Sequence, residues 1–246
     1  MGPTISGSRV RRVRHEARRR EVQVSCVREI SPHFIEVTFT GESLADFTSL
    51  SFDDHVKFFL NASDTNPVMR DYTPRRYDRE KRELVIEFVL HGDGPAATWA
   101  EGVQPGQSAV IGGPRGSMII PLDFHWHLLA GDETAVPAIA RRLEELPAEA
   151  RAFVVIQVAD PRDQRKLATR AHADVQWVAN PDQSIAAVRQ LALPGRDGYA
   201  WCAGESSAVR ALRNVLVQEK SQDRHAIRAA AYWKHGAVAH HENLED

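Results

Sequence analysis

The sequence predicts two domains, an antiparallel β-barrel or sandwich followed by an α/β domain with a parallel sheet. Residues 21–121 contain short runs of β-branched and aromatic residues separated by turn residues, as in antiparallel all-β domains. After residue 123, strand-like and helix-like segments alternate, which indicates parallel strands joined by crossover helices. Residues 152–158 are almost continuously apolar, as expected of a strand buried on both faces. We therefore place the domain boundary within residues 121–126.

The first domain has six segments of strand character and one short helix. The helix is predicted at residues 96–101, because good helix formers follow Pro95 and proline is favoured in the first turn. Gly112-Gly113-Pro114-Arg115-Gly116-Ser117 is followed by a strand pattern, so it is predicted to be a turn between strands and not a dinucleotide-binding loop. The strands are predicted at residues 21–27, 33–40, 55–60, 82–90, 108–111 and 118–120.

The second domain alternates between strands and helices as far as residue 232. In its helical segments, apolar residues recur every three or four positions, which marks the face that packs on a sheet. The strands are predicted at residues 127–131, 152–158, 175–178, 199–204 and 225–232, and the helices at residues 134–146, 184–191 and 206–219.

The composition restricts the classes of function. The chain of 246 residues is 43% hydrophobic and has a formal net charge of -2, so no overall field attracts it to nucleic acid. Its two cysteines, Cys26 and Cys202, lie far apart, which favours a reducing compartment and excludes a self-contained iron–sulfur cluster. No apolar run reaches the roughly 18 residues of a membrane helix, and the N-terminus does not have the pattern of a secretory signal. We expect a cytoplasmic monomer that binds no nucleic acid and does not span a membrane.

The N-terminal segment is strongly basic. One interpretation is a flexible, solvated arm over residues 1–17, and the other is an arm that binds nucleic acid or an acidic ligand. No aromatic residue is interleaved with the arginines, as a stacking platform would require, so we favour the first. The first domain then covers residues 18–122 and the second residues 123–246. Residues 1–20 contain one acid, Glu16, and seven arginines, which are Arg9, Arg11, Arg12, Arg14, Arg18, Arg19 and Arg20.

The segment Arg70-Asp71-Tyr72-Thr73-Pro74 lies between two apolar runs. In an extended chain Arg70 and Tyr72 point the same way, because residues i and i+2 of a strand share a face. A guanidinium can bind a phosphate with two parallel hydrogen bonds, and an aromatic side chain can stack on a ring system. The pair therefore suits a flat, anionic ligand. The alternative is an ordinary strand end with a cross-strand tyrosine.

The segment from His91 to Trp99 combines small residues with the start of the predicted helix. Small residues let backbone amides approach a phosphate, and the N-terminus of a helix carries partial positive charge. The alternative is a Gly-Pro turn that only begins the helix.

Several segments, taken together, resemble one known family. Arg70-Asp71-Tyr72-Thr73 is similar to the Arg-x-Tyr-(Ser/Thr) flavin-binding signature of the ferredoxin-reductase-like superfamily. With the segments that follow it, the chain after about residue 18 resembles the siderophore-interacting proteins, which are cytoplasmic, FAD-containing ferric-siderophore reductases. Those segments are His91-Gly92-Asp93-Gly94-Pro95-Ala96-Ala97-Thr98-Trp99-Ala100, Gly112-Gly113-Pro114-Arg115-Gly116-Ser117, Gly131-Asp132-Glu133-Thr134-Ala135-Val136-Pro137-Ala138-Ile139, Ala203-Gly204-Glu205 and Tyr232-Trp233-Lys234-His235-Gly236.

The resemblance implies a Greek-key β-barrel that binds FAD and a Rossmann-like domain that binds NAD(P)H. It implies that Arg70 contacts phosphate, that Tyr72 and Thr73 contact the isoalloxazine and ribityl part, and that the helix start binds the pyrophosphate. Cations would attract an anionic ferric siderophore. The implied cofactor-binding residues are Arg70, Tyr72, Thr73, His91, Pro95, Ala96, Ala97, Thr98, Trp99, Thr134 and Glu205. The implied substrate-binding residues are Lys57, Arg75, Arg76, Lys234 and His235.

A nicotinamide nucleotide is expected at Gly131-Asp132-Glu133-Thr134, because ligands bind at the carboxyl ends of parallel strands. Thr134 and backbone groups are candidates for phosphate contact, whereas Asp132 and Glu133 could cap the helix. NADPH is the favoured donor.

Two further groups of residues bear on the nucleotide. Arg162, Arg165 and Lys166 could bind the additional phosphate of NADPH, or could form a solvated loop. Cys202 is one residue before Ala203, so on a strand it is predicted to point away from the reacting atoms.

The resemblance implies a reductase that passes electrons from NAD(P)H through FAD to a ferric siderophore, reduces Fe(III) to Fe(II) and releases the iron. The flavin itself carries the electrons, so no catalytic side chain and no metal site are predicted. Three alternatives stay open: a general NAD(P)H:flavin reductase, a non-enzymatic siderophore-binding protein, and a ferredoxin as the electron donor.

Overall fold

The structure, a computed structural model, describes residues 9–62, 64–90, 94–195, 197–236 and 242–243. The predicted strands and helices are present, β5 covers the segment of Arg70 and Tyr72, and β1, β6 and β15 are added to the predicted set. The strands are β1 (Arg11–Arg14), β2 (Arg19–Ser31), β3 (Phe34–Thr40), β4 (Val56–Leu60), β5 (Val68–Tyr72), β6 (Arg76–Asp78), β7 (Glu83–Val89), β8 (Ser108–Gly112), β9 (Gly116–Ile119), β10 (Trp126–Gly131), β11 (Arg151–Gln157), β12 (His172–Val178), β13 (Gly198–Glu205), β14 (Ile227–Trp233) and β15 (Glu242–Asn243). The α-helices are α1 (Pro95–Gly102), α2 (Val136–Glu145), α3 (Pro181–Gln190) and α4 (Ser206–Asn214), and a π-helical turn, Val215–Glu219, extends α4.

Seven strands of the first domain form an antiparallel sheet in the order β5-β4-β8-β2-β3-β7-β6. A flat sheet of this size would hold its two edges ~29 Å apart. The edge strands β5 and β6 are joined only by residues 73–75, a link that spans at most ~14 Å. The sheet therefore curves round a buried core that includes Phe39, Phe58, Ile86 and Phe88. The predicted antiparallel β domain is confirmed, and its closure into a Greek-key barrel stays a prediction.

Strand β1 changes the prediction for the N-terminal segment. It pairs antiparallel with β9, from Arg11 opposite Ile119 to Arg14 opposite Gly116. Gly116 permits this approach, since a Cβ at this position would lie 2.7 Å from the Val13 carbonyl oxygen. The prediction of a flexible arm is therefore wrong for Arg11–Arg14, whose backbone joins a ladder while the arginine side chains stay exposed. Residues 1–8 lie outside the described residues, and the domain boundaries stay predictions.

The second domain has a sheet in the order β12-β11-β10-β13-β14-β15. The first five strands are parallel and β15 is antiparallel. Helix α2 packs on one face through Ile139 and Leu143, whereas α3 and α4 pack on the other through Val188 and Leu212. The predicted parallel-sheet α/β domain is confirmed.

The sheet face that carries α2 also packs against the first domain. Phe34 and Phe52 of the first domain belong to the same buried cluster as Ile139 and Trp201 of the second. The rings of Phe52 and Trp201 meet edge to face with 5.4 Å between their centroids. A shared apolar core thus joins the two domains.

Within the described residues, none of the helices has the length and apolar character that a membrane-spanning helix requires.

Candidate functional site

Strand β5 presents Arg70 and Tyr72 on one face. In the ladder with β4, Arg70 lies opposite Phe58 and Tyr72 opposite Val56, and both β4 residues are buried in the barrel core. Directly opposite residues of an antiparallel pair project to the same side of the sheet. The prediction that Arg70 and Tyr72 share a face is therefore confirmed.

Tyr72 and Trp99 pack against the same two phenylalanines. The Tyr72 ring centroid lies 4.4 Å from that of Phe88 and 6.1 Å from that of Phe58. Trp99, in α1, lies 4.5 Å from Phe58 and 5.3 Å from Phe88. Burial raises the pKa of Tyr72, so its hydroxyl stays protonated and can donate a hydrogen bond. The two segments that were predicted to bind one cofactor are thus brought together around one aromatic cluster.

Groups that suit a diphosphate lie beside this cluster. Arg70 donates from Nη1 to the Met69 carbonyl oxygen at 2.9 Å, its one hydrogen-bond partner among the described residues. The N-cap of α1 is Gly94, which provides no side-chain cap, so among the described residues no side chain caps the first amides of the helix. Beyond its chain neighbours, no atom of the residues that the structure describes lies within 4 Å of the place where a Cβ on Gly94 would be. A helix start whose N-cap glycine has no side chain and has open space around it fits the phosphates of FAD.

The residues at the start of α1 occupy different environments. Ala96 and Ala97 are buried, at 7% and 6% exposed, so their small side chains pack on the barrel while their amides form the helix start. Pro95 and Thr98 are exposed, and the Thr98 amide donates to the Gly94 carbonyl oxygen at 3.0 Å. Their contacts with a cofactor stay predictions, and His91 lies outside the described residues.

The turn after β5 is buried between the domains. Thr73 is 8% exposed and Arg75 is 5% exposed. Arg75 donates from Nη1 and Nη2 to the two carboxylate oxygens of Glu144, at 2.8 and 2.5 Å, and from Nε to Glu87 at 3.1 Å. The prediction that Arg75 faces the iron complex is therefore wrong, because two carboxylates bind its guanidinium inside the protein. The role of Thr73 at the flavin stays a prediction.

The other predicted substrate cations are exposed or half-exposed. Arg76 donates to Glu36 at 2.7 Å, and the Lys57 ammonium lies 2.7 Å from Asp71. Lys57 lies opposite Asp71 in the ladder, which places it on the other face of the sheet from Arg70. The remaining two, Lys234 and His235, directly follow β14 and are exposed. Their part in substrate binding stays a prediction.

Asp132 connects the carboxyl ends of three parallel strands, β10, β13 and β14, by hydrogen bonds. Its carboxylate accepts hydrogen bonds from the amide and the hydroxyl of Thr134, at 3.0 and 2.5 Å, from the Glu205 amide at 2.8 Å and from Trp233 Nε1 at 2.9 Å. Gly204 has a φ of 137°, and a Cβ there would lie 2.4 Å from the carboxylate. Asp132 and Glu133 were predicted to cap the helix; Asp132 caps the 3₁₀ turn Glu133–Ala135 that leads into α2, whereas α2 itself has no side-chain cap among the described residues.

Thr134 and Glu205 were predicted to bind a cofactor, and both already have structural partners. The Thr134 hydroxyl is held by Asp132. The Glu205 carboxylate caps α4 by accepting from the amides of Ser207 and Ala208, at 2.6 and 3.1 Å. The structure thus gives Glu205 a capping role that the sequence interpretation did not assign, and contact of either residue with a nucleotide stays a prediction.

Of the three basic residues at positions 160–166, in the loop after β11, two are exposed to solvent and one is partly buried. Arg162 pairs with Asp160, and Lys166 is exposed. Arg165 binds Glu87 of the first domain, and its guanidinium lies 4.7 Å from the centre of the Phe34 ring. Arg165 is therefore occupied in the contact between the domains and is a poor candidate for a phosphate.

Cys202 points away from the face that carries Ala203. Cys202 belongs to the core cluster under α3 and α4, whereas Ala203 belongs to the cluster under α2. Burial raises the pKa of the Cys202 thiol to about 12. The predicted orientation is confirmed.

Asp53 is a buried residue that the sequence interpretation missed. Its side chain is 3% exposed and accepts hydrogen bonds from Trp201 Nε1 at 2.9 Å, Arg228 Nε at 2.8 Å and the Tyr232 hydroxyl at 3.3 Å. All three donors belong to the second domain. The sequence offered one signal for this role: two consecutive acids, Asp53 and Asp54, directly follow Phe52 and precede a buried strand.

The turn at residues 131–134, where a nicotinamide nucleotide is expected, contains Glu133, whose ionisation should make the stability of the protein depend on pH. Burial, and then the charge of Asp132, raise the pKa of Glu133 from 4.5 to about 7, and its Oε2 atom has no hydrogen-bond partner among the described residues. The native state therefore binds this proton more tightly than the unfolded state, so stability falls as the pH rises from 4.5 towards 7 and stays lower above it. Glu133→Gln removes the penalty, and we expect it to stabilise the FAD-free protein at pH 8 by up to ~3 kcal/mol, and by much less at pH 5.

Thermal unfolding of both proteins at the two pH values measures this difference. Glu149→Gln, at an exposed position, is the control and should change stability little at either pH. An equal effect of Glu133→Gln at pH 5 and pH 8 would contradict the prediction.

The architecture defines the class of the protein. An antiparallel sheet curved round a buried core, joined through a shared apolar core to a parallel-sheet α/β domain, is the fold of the ferredoxin-reductase-like proteins. Within that class, the chain belongs to the siderophore-interacting protein family. The family model of the siderophore-interacting protein matches residues 124–236, and that of the siderophore-interacting FAD-binding domain matches residues 23–66 and 61–118.

Individual relatives agree with this assignment. An NADPH-dependent ferric-chelate reductase of Escherichia coli (strain K12) is 35% identical over 244 residues, which cover 90% of this chain and 95% of that protein. Ferric vibriobactin reductase ViuB of Vibrio cholerae serotype O1 is 35% identical over 243 residues, covering 87% and 89%. The crystal structure of a siderophore utilization protein from T. fusca matches with a TM-score of 0.87 and 30% identity, over 94% of this chain and 98% of that one. The family resemblance seen in the sequence is confirmed.

Proposed function

We propose that this protein is an NADPH-dependent, FAD-containing reductase of ferric siderophores. The observation that carries the proposal is the meeting of the Arg70 and Tyr72 face with the start of α1, around Phe58 and Phe88. The names of the two relatives at 35% identity, an NADPH-dependent ferric-chelate reductase and a ferric vibriobactin reductase, support the same reaction.

The chain's own residues have separate tasks in this reaction. When bound, FAD supplies the exchange between a two-electron donor and a one-electron acceptor. Arg70 and the amides at the start of α1 hold the diphosphate, and Tyr72 packs against the ring system while Phe88 supports it from behind. In the second domain, Asp132 holds together the carboxyl ends of the strands, where a nicotinamide nucleotide binds.

The substrate is a ferric complex that carries oxygen ligands and, in many cases, negative charge. The half-exposed Lys57 and the exposed Arg76, Lys234 and His235 are the side chains that attract it and raise its local concentration near the protein. Hard oxygen ligands hold Fe(III) more strongly than Fe(II), so reduction by one electron releases the iron.

We further propose that the protein is a cytoplasmic monomer. Cys26 and Cys202 are both free thiols, as expected of a reducing compartment. Gel filtration should give the elution volume of a 27.5 kDa chain, and elution as a dimer would contradict this part of the proposal.

Stopped-flow absorbance tests the function. The desalted protein should stay yellow, NADPH should bleach the flavin under anaerobic conditions, and a ferric catecholate or hydroxamate complex should restore the colour. Loss of the colour on desalting would indicate a general flavin reductase. A protein that binds the ferric complex but is not bleached by NADPH or NADH would be a carrier, and the reductase proposal would fail.

A further inference from the structure

We propose that helix α2 is a positioning element that connects two turns. It fixes the flavin-side turn of the first domain, Thr73-Pro74, relative to the nucleotide turn of the second domain, residues 131–134. Arg75, Arg141 and Glu144 make this connection. The inference rests on the proposed function, since it concerns the distance between a hydride donor and a flavin. It gives Arg75 a role that replaces substrate binding.

The first connection is the ion pair between Arg75 and Glu144. Arg75 directly follows the Thr73-Pro74 turn, and Glu144 lies in the last turn of α2. Two parallel hydrogen bonds, of 2.8 and 2.5 Å, join the guanidinium to the carboxylate. A bidentate pair fixes both distance and orientation, so this pair defines where the end of α2 sits on the turn.

The second connection is Arg141, one helical turn before Glu144 and Glu145. It is 8% exposed. Its Nη1 donates to the Pro74 carbonyl oxygen at 2.9 Å and to the Ser49 hydroxyl at 2.8 Å, and its Nη2 donates to the Ser49 carbonyl oxygen at 2.9 Å. Glu145 accepts from its Nε at 2.9 Å. A side chain of the second domain therefore binds the backbone of the turn that carries Thr73.

The network continues through Glu87, which is 5% exposed. One carboxylate oxygen of Glu87 accepts from Arg75 Nε at 3.1 Å, and the other accepts from Arg165 of the second domain. Acidic and basic side chains thus alternate in the order Glu144, Arg75, Glu87 and Arg165. The two outer residues belong to the second domain and the two inner residues to the first. Buried charges with complementary partners on both sides resist displacement, because separating any pair leaves an uncompensated charge.

The other end of α2 lies at the nucleotide turn. Only the short 3₁₀ turn Glu133–Ala135 separates Asp132 from the start of α2 at Val136. The helix has 10 residues and is therefore ~15 Å long. One straight helix connects the turn that Asp132 caps to the turn that Arg141 and Glu144 hold, and a shift of ~1 Å between reacting groups can lower a rate by ~10²-fold.

Glu144→Gln tests the positioning role, because Glu144 is partly exposed and its replacement keeps the shape of the side chain. With FAD saturating, we expect the limiting rate of flavin bleaching by NADPH to fall about tenfold, while the NADPH concentration at half-maximal rate changes by less than about twofold. Arg141→Lys, which loses the bidentate grip, should behave in the same way, and Glu144→Asp should restore part of the rate. The matched control is Glu219→Gln, which breaks the exposed pair with Arg189 inside the second domain and should leave the rate unchanged.

Hydrogen exchange in the FAD-free protein provides a second readout. The Arg75 amide donates to the Val85 carbonyl oxygen at 2.9 Å, and we expect its exchange to become roughly tenfold faster in Glu144→Gln but not in Glu219→Gln. Failure of the wild-type protein to be bleached by NADPH would refute the proposed function alone, and faster exchange at Arg75 would still support the positioning role. Wild-type bleaching rates in Glu144→Gln and Arg141→Lys, or unchanged exchange at Arg75 in Glu144→Gln, would overturn it.

Discussion

Replacement of Asp53 by alanine is expected to lower the free energy of unfolding by about 3–5 kcal/mol. Asp53 accepts hydrogen bonds from Trp201, Arg228 and Tyr232, and Arg228 is itself largely buried, with a side chain 13% exposed. Without the carboxylate, the Arg228 charge stays inside the protein with no acid in the described residues to replace Asp53, and the indole and phenol donors lose an acceptor. Urea unfolding, followed by tryptophan fluorescence, measures the loss.

A double variant separates the buried charge from the loss of packing. Arg228→Met in the Asp53→Ala background removes the unpaired charge, so we expect part of the lost stability to return. Asp123→Ala is the control: Asp123 pairs with Arg9 at the surface, with a side chain 78% exposed, and such pairs contribute at most about 1 kcal/mol. A loss below 1 kcal/mol in Asp53→Ala, or no recovery in the double variant, would contradict the role assigned to Asp53.

The contrast between Asp53 and the strands shows what sequence patterns can predict. Strands and helices repeat their apolar residues locally, and residues 152–158 were recognisable because nearly every position of a doubly buried strand is apolar. The partners of Asp53 lie 148 to 179 positions away in the chain. No local pattern identifies such partners, because an acid in front of a buried strand has the same sequence appearance whether it faces water or another domain.

Arg75 shows the same limit within the candidate site. The sequence places Arg75 and Arg76 side by side after the flavin motif, and both were predicted to meet the substrate. In the structure Arg76 is exposed, whereas Arg75 is bound by Glu144, 69 positions away. Alternation along the chain predicts that neighbours face different ways, but the docking of the second domain decides which of them is buried. The cap at Asp132 was predictable for the opposite reason, since the amide it binds is two residues away.

Removal of the Arg70 guanidinium is expected to have the largest effect on cofactor binding. If Arg70 binds the FAD phosphates, Arg70→Ala loses charge-assisted hydrogen bonds that contribute about 1.5–3 kcal/mol, so the FAD dissociation constant should rise roughly ten- to a hundred-fold. Arg79→Ala is the control, because Arg79 is an exposed arginine of the same domain whose Nε donates to the Ala45 carbonyl oxygen. Titration of the FAD-free protein, followed by quenching of flavin fluorescence, measures both constants, and equal constants for Arg70→Ala and wild type would refute the assignment.

Arg70→Lys distinguishes a phosphate contact from a general effect of positive charge. Lysine keeps the charge but presents it as a single point and not as a planar fork. If Arg70 binds two phosphate oxygens, lysine should restore only part of the affinity, and raising the salt concentration should weaken binding of the lysine variant more than that of wild type. If Arg70 acted only through long-range charge, lysine would restore the full affinity. Because Tyr72 and Trp99 share the support of Phe58 and Phe88, neither Arg70 variant should disturb the aromatic cluster, and unfolding temperatures of the FAD-free proteins should stay equal.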